Sequence, residues 1–120
     1  MKISEVAKRT GLRISTIRFY EKSGLCPLIA RGADGKRQFT MTDLDWLALL
    51  SSLRETRMPT SEMQNFAALY RSGNDTIPER KAALLTHRRR LEDRQGELDR
   101  CRDILDRKLT KYDEIIGTKE

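Results

Sequence analysis

The 120-residue sequence is poor in cysteine, histidine, proline and aromatic residues: it has two cysteines (Cys26 and Cys101), one histidine (His87), three prolines and 6% aromatics. Two thiols so far apart give no disulfide framework and point to a reducing compartment, the cytoplasm. With one histidine they also lack the clustered spacing that holds zinc, so no metal site is expected. No run approaches the ~20 apolar residues of a membrane span. The opening Met1-Lys2-Ile3-Ser4-Glu5 has no apolar core of a secretory leader. Paired carboxylates beside a base, a nucleophile motif and a glycine-rich phosphate loop are all missing, which argues against an enzyme and against a bound cofactor.

What the chain does have is charge. Charged residues make up 35% and hydrophobic ones 38%, which leaves a thin core and suits helices that bury their apolar stripe against a partner. The net charge of +6 is unevenly placed: residues 1–40 carry nine cations against three acids, and residues 41–120 carry fifteen of each sign. A basic front joined to a neutral, charge-laced tail is the footprint of a nucleic-acid reader, although a basic domain without a polyanion partner has the same count.

Hydrophobic periodicity divides the chain into mainly α-helical elements. Ser4 is placed to cap a short helix through about Thr10, with Ile3, Val6 and Ala7 on its apolar side. Gly11 supplies a tight turn, and a second helix runs from about Ile14 to Ser23, with Ile14, Ile17 and Phe19 available for packing; it stops at Gly24. Two short helices around a glycine turn make a helix-turn-helix unit. Asp34-Gly35, between Leu28-Ile29 and Gln38-Phe39, reads as a short hairpin with Arg31, Lys36 and Arg37 at its tip. Thr42-x-x-Asp45 resembles a capping box opening a helix through about Arg57. Leu44, Leu47, Ala48, Leu50 and Leu53 form its buried face and Trp46 flanks them. Pro59 breaks the chain before a helix from about Thr60 to Arg71 that presents Met63, Phe66, Ala67 and Tyr70.

After a turn at 72–76, with Thr76 as cap and Pro78 in the first turn, nothing but Gly96 interrupts a helix until Gly117. Some forty residues of helix would reach about 60 Å. One apolar line recurs every seven residues at Ile77, Leu84, Leu91, Leu98, Leu105 and Tyr112. A patchier companion line runs through His87, Arg94, Cys101, Lys108 and Ile115. A sustained heptad implies a two-stranded coiled coil with wet sections, hence a homodimer held through Leu84, Leu91, Leu98, Cys101, Leu105 and Tyr112. The expected organisation is a winged helix-turn-helix over 1–71, a linker over 72–76, a dimerisation helix over 77–116 and a tail over 117–120. The short tail leaves no room for a ligand-binding domain after the coil.

A helix-turn-helix lays its second helix in the major groove, where its first turns reach base edges. Ser15, Thr16 and Arg18 are placed to read bases and grip phosphates, joined by Phe19 and by Tyr20, whose hydroxyl can donate to a phosphate. The alternative is that Tyr20 is a core aromatic and Arg18 a solvated charge. Arg31, Lys36 and Arg37 fit a wing that sets cations over the backbone of double-stranded DNA.

Ile3-Ser4-Glu5-Val6-Ala7, Thr10-Gly11-Leu12, Thr16-Ile17-Arg18-Phe19-Tyr20-Glu21-Lys22-x-Gly24-Leu25, Arg37-x-Phe39, Asp43-Leu44-x-Trp46-Leu47 and Leu53-Arg54-Glu55 together resemble the MerR family of bacterial regulators. The resemblance covers essentially the whole chain. It implies homodimers whose long helices pair antiparallel, two winged heads on a pseudopalindromic promoter site, and a DNA distortion that lets RNA polymerase engage both promoter elements. Such distortion costs several kcal/mol, offset by phosphate contacts. The stretch from Leu69 to Arg80 is similar to the linker of a branch associated with aldehyde or nitrosative stress. That branch often carries a reactive cysteine just before the Leu-Arg pair of the third helix; this chain has Ser52 there, and a serine supplies no thiolate.

The remaining candidates have plainer readings. Cys26 reads as a small packing residue, Cys101 as a seam residue, His87 as a polar coil position, and Arg88-Arg89-Arg90 as a solvated run pairing with Glu92 and Asp93. A coiled-coil DNA-architectural or protein-interaction module without promoter activation is the competing class.

Overall fold

The computed structural model of the chain describes residues 1–27 and 29–118. Five α-helices follow one another: α1 (Ile3–Thr10), α2 (Ile14–Lys22), α3 (Met41–Glu55), α4 (Thr60–Arg71) and α5 (Ile77–Gly117), with a 3-10 turn at Asn74–Thr76 before α5. Two compact units divide the chain. The first is Met1–Ala83, and the second begins at Leu84.

In the first unit α1 packs on α2 and α3, and α3 on α4. Gly11 takes a left-handed φ of 73° and its N–H donates to the Ala7 carbonyl at 2.9 Å, closing α1 and turning the chain towards α2. The α1 cap is Lys2, not the expected Ser4. Met1 and Phe39 exchange backbone hydrogen bonds, the Met1 amino group donating at 2.9 Å and the Phe39 N–H at 2.7 Å, so the chain leaves this extended pairing directly into the helix. The α3 capping box likewise sits two residues earlier than expected. The Asp43 N–H donates to Thr40 Oγ1 at 3.1 Å, and the Thr40 N–H to Asp43 Oδ2 at 2.8 Å. The pattern occurs twice in the sequence, and the first copy wins because Phe39, just ahead of it, is seated in the core.

The core is built from Val6, Ile17, Tyr20, Leu47 and Leu50, all essentially without solvent contact. Trp46 belongs to this core and is no flank, whereas Ala48 is exposed. Helical period explains the exchange: Trp46, Leu47, Leu50 and Leu53 share one face, and Ala48 falls opposite. The Trp46 ring stacks on Phe66 (5.3 Å between centroids, 7° between planes) and lies 4.1 Å from Tyr70. Met63, Phe66 and Ala67 of α4 are buried, as their spacing predicts.

Helix α3 stops at Glu55, short of Arg57. The Met58 N–H donates to the Leu53 carbonyl at 2.9 Å and the Arg57 N–H to the Arg54 carbonyl at 3.1 Å, a Schellman closure with Arg57 in the left-handed region at φ 70°. Thr76 does not cap α5. Its hydroxyl donates back to the Leu69 carbonyl at 2.6 Å and accepts from Arg80 Nε at 3.1 Å, tying the α4 end to the first turn of α5.

The second unit is the continuation of α5. Leu84 and Leu91 are half-buried, and from Leu98 onward the apolar residues are exposed. His87, expected as a polar coil position, is buried, at 3% exposure. Among the described residues no helix is long and apolar enough to cross a membrane.

Candidate nucleic-acid interface

Helix α2 opens at Ile14 after Arg13, and the Arg13 side chain makes no capping bond. Its periodicity decides which residues face out. Ile17 and Tyr20, three apart, turn into the core, leaving Ser15, Arg18 and Phe19 exposed and Thr16 half-buried. Tyr20 is 1% exposed, so the expectation that it stands on the DNA-facing surface is corrected: it is a core aromatic, as the i, i+3 relation to Ile17 requires. Phe19, which the sequence offered for packing, is 55% exposed instead.

The end of α2 is fixed by several contacts. Gly24 adopts φ 80°, its N–H donates to the Glu21 carbonyl, and the Leu25 and Cys26 N–H groups both donate to the Tyr20 carbonyl. Arg71 of α4 donates to the Gly24 carbonyl, and Trp46 Nε1 to the Leu25 carbonyl at 2.8 Å. This sets the angle at which α2 leaves the core.

The hairpin that follows is tighter than the sequence suggested. Among the described residues its arms meet at one antiparallel bridge, Arg31 with Arg37, next to the Gln38 N–H bond to the Ala30 carbonyl (2.8 Å); Leu28, expected in the first arm, lies outside the described residues. The tip is closed by the Gly35 N–H on the Gly32 carbonyl (3.0 Å), the Gly32 N–H on the Lys36 carbonyl (2.8 Å) and the Lys36 N–H on Asp34 Oδ1 (3.0 Å), with Gly35 at φ 77°. Ile29 and Phe39 are buried and fasten the base of the arms.

Hairpin, α2 and the start of α1 enclose a cleft of about 350 Å3 whose wall carries Lys2, Arg18, Arg31, Lys36 and Arg37. Four of these five cations were expected as DNA-facing residues, and the fold brings them to one place. Lys2 was missed, because nothing in the sequence pairs the residue before α1 with a hairpin tip thirty-odd positions on. Arg37 differs from the others: its Nε donates to Glu21 Oε2 of α2 at 2.5 Å. A second, shallower depression joins Ser15, Thr16 and Phe19 to Arg54 of α3, a cation that sequence reasoning had not enlisted. The electrostatic character of the cleft is therefore strongly positive, suited to a polyanion.

Neither cysteine touches this surface as a reactive group. Cys26 is 3% exposed, and burial, followed by the nearby Asp43 and Glu21 carboxylates, pushes its thiol up to about 12. Cys101 is exposed on α5, and Ser52 is exposed on α3. Among the described residues no group of three or more His, Cys, Asp or Glu side chains gathers as a metal site would need.

On the exposed face of α5, Leu98, Ile104, Leu105, Leu109, Tyr112, Ile115 and Ile116 are between 41% and 67% exposed. Leu84, Leu91, Leu98, Leu105 and Tyr112 recur every seventh residue on the same helix, with Cys101 three residues after Leu98.

A helix pair around a left-handed glycine, a second helix with polar and cationic residues outward, and a basic hairpin beside it define the head of a helix-turn-helix transcriptional regulator. The chain belongs to the MerR HTH regulatory protein family, which matches residues 1–68. It is similar to an uncharacterized HTH-type transcriptional regulator of Haemophilus influenzae, 37% identical over 109 residues that span 91% of this chain and 81% of that protein. Among solved structures it is similar to a MerR family regulator of Listeria monocytogenes (TM-score 0.85, 32% identity, 94% of this chain and 86% of that one). It is also similar to HiNmlR, a MerR family regulator lacking the sensor domain and solved bound to promoter DNA (TM-score 0.81, 35% identity, 94% of this chain and 90% of that one). The family, the helix-turn-helix head and the long C-terminal helix expected from the sequence are thus established.

Proposed function

We propose that the protein is a sequence-specific DNA-binding transcriptional regulator that acts as a cytoplasmic homodimer on a pseudopalindromic promoter site. The observation that carries this reading is the cleft where Arg18 of α2 and Arg31 and Lys36 of the hairpin converge beside the exposed front of α2. Ser15, Thr16 and Arg18 would meet base edges while Phe19 packs against the groove wall. The hairpin cations would track phosphates, which carry no sequence information but fix register. The related HiNmlR, solved bound to promoter DNA, supports DNA as the ligand.

Dimerisation is assigned to α5. A face with seven large apolar residues left open to water between Leu98 and Ile116 calls for a cover, and antiparallel pairing of two such helices supplies it. Two heads joined in this way would bind both half-sites and distort the DNA between them, allowing RNA polymerase to engage the promoter. The stress-response role that the linker resemblance implies would operate without a thiol at position 52.

The test is binding to a duplex from the protein's own upstream region against random duplex at physiological salt. Preference for the upstream fragment of tenfold or more is expected, lost in Arg18→Ala while the dimer persists. Equal affinity for both duplexes overturns the proposal.

A further inference from the structure

Arg31 and Arg37 stand directly across an antiparallel bridge of the hairpin. Like charges in that relation push the arms apart. Here one of the two is neutralised from below: Glu21, 12% exposed, takes Arg37, 27% exposed, in a 2.5 Å charge-assisted bond that joins the return arm of the hairpin to the last turn of α2. Arg31 is exposed and donates to the Gly35 carbonyl at 2.9 Å, stiffening the tip. Among the described residues Lys2, Arg18, Arg31 and Lys36 have no carboxylate partner. The five cations of the cleft are therefore of two kinds, four unpaired and one held by a half-buried carboxylate.

We propose that the cleft seats a stretch of sugar-phosphate backbone through Lys2, Arg31 and Lys36, and that Arg37 is a positioning residue: clamped to Glu21, it holds the hairpin over α2. This inference rests on the DNA-binding reading above. Its physical content is that a carboxylate behind the cleft, by holding Arg37 of its wall, strengthens phosphate binding. Among the described residues the arms share one bridge and the Gln38 N–H bond to the Ala30 carbonyl, so without the clamp the two facing guanidinium groups repel and the tip moves off the cleft.

Substitution at Glu21 separates this from bulk electrostatics, because the two predict opposite signs. Glu21→Gln makes the protein more positive, and charge alone would tighten its grip on any duplex. Loss of the clamp instead weakens binding to a short random-sequence duplex about tenfold. It also flattens the plot of log affinity against log salt by roughly 1.8, two phosphates' worth at ~0.9 each. Arg37→Ala removes the clamp and the repulsion together, so its slope should flatten by less than that of Glu21→Gln, whereas Lys2→Ala, Arg31→Ala and Lys36→Ala each flatten the slope by about 0.9. The exchanged pair Glu21→Arg with Arg37→Glu should restore affinity and slope at unchanged net charge.

Glu21→Gln binding as tightly as wild type or tighter, at the original slope, overturns the clamp. An unchanged slope in Lys2→Ala overturns the cleft as the phosphate seat. If Glu21→Gln melts early by circular dichroism, the exchanged pair decides: a folded protein with the reduced slope refutes the positioning role. A wild-type protein with no salt-dependent affinity for any duplex overturns the DNA-binding reading itself, a result distinct from all of these.

Discussion

Trp46 Nε1 donates a 2.8 Å hydrogen bond to the Leu25 carbonyl, and both residues are buried. The indole thus satisfies a backbone acceptor that lies just beyond the last turn of α2, where no helical or hairpin ladder reaches. Its ring also stacks on Phe66 of α4, so one α3 side chain joins the segment after α2 to the fourth helix.

Replacing Trp46 by Phe keeps an aromatic ring but strands that carbonyl away from water. A loss of about 2–4 kcal/mol of unfolding free energy is expected from the unmet acceptor and the vacated volume. Urea titration followed by circular dichroism checks it. A loss below 1 kcal/mol would mean that the carbonyl finds another donor.

Arg57 occupies a left-handed conformation that closes α3, at φ 70°, where a side chain is strained. Arg57→Gly should stabilise the protein by about 0.5–1 kcal/mol, the relief of that strain exceeding the entropy added to the unfolded chain. Arg57→Ala, still bearing a Cβ, should show no such gain. Matching urea midpoints for the two variants would refute the strain argument.

Cys26 should be unreactive in the native protein, its thiol lifted from an ordinary value near 9 to about 12 chiefly by burial. A thiol-reactive dye is expected to label Cys26 only after denaturation. The same shift has a pH consequence. Below pH 9 the thiol is protonated in both the folded and unfolded states and stability does not depend on it. Between about 9 and 12 the unfolded thiol ionises while the folded one does not, so stability falls by up to about 1.4 kcal/mol per pH unit. The stability advantage of wild type over Cys26→Ala should shrink across that window, and a constant difference would argue against a buried neutral thiol.

The dimer assigned to α5 makes its own prediction. Leu105→Glu places a charge in the middle of the exposed apolar stretch, and sedimentation should then find monomers where wild type gives dimers, with a parallel loss of operator affinity. Cys101→Ser should remain dimeric. A dimer surviving Leu105→Glu would place the contact elsewhere.

How far the sequence could be read depended on how local each feature is. The helices were legible because period and breakers are carried within a few residues: Gly11, Gly24 and Pro59 punctuate, and Met63, Phe66 and Ala67 show their face. Errors arose where a choice depended on residues far along the chain. Ser4 is a better cap than Lys2 by residue type, but Met1 pairs with Phe39 and moves the start of α1. Thr42-x-x-Asp45 reads as well as Thr40-x-x-Asp43 until the burial of Phe39 is known. For the site, the cations of α2 and the hairpin could be listed from the sequence. Their unequal roles could not, since Glu21 meets Arg37 only through the tertiary path of the hairpin. Tyr20 was the avoidable error: its three-residue offset from Ile17 already places it inside.

The hydrogen bonds that tie α2 to the segment after it and to α3 and α4 are gathered at its rear, on the carbonyls of Tyr20, Gly24 and Leu25, while Ile17 seats its middle in the core. The first turn of the helix is thus the part farthest from those bonds. The nine residues of α2 extend about 13 Å from them, so a tilt of about 5° there carries the first turn through about 1 Å, a large fraction of a hydrogen bond's tolerance. On the proposed DNA-binding reading, substitutions at Trp46 or Arg71 would re-aim Ser15, Thr16 and Arg18 together and so shift base preference. If α2 reads bases as proposed, operator choice could drift through α3 and α4 while the proposed reading residues stay the same.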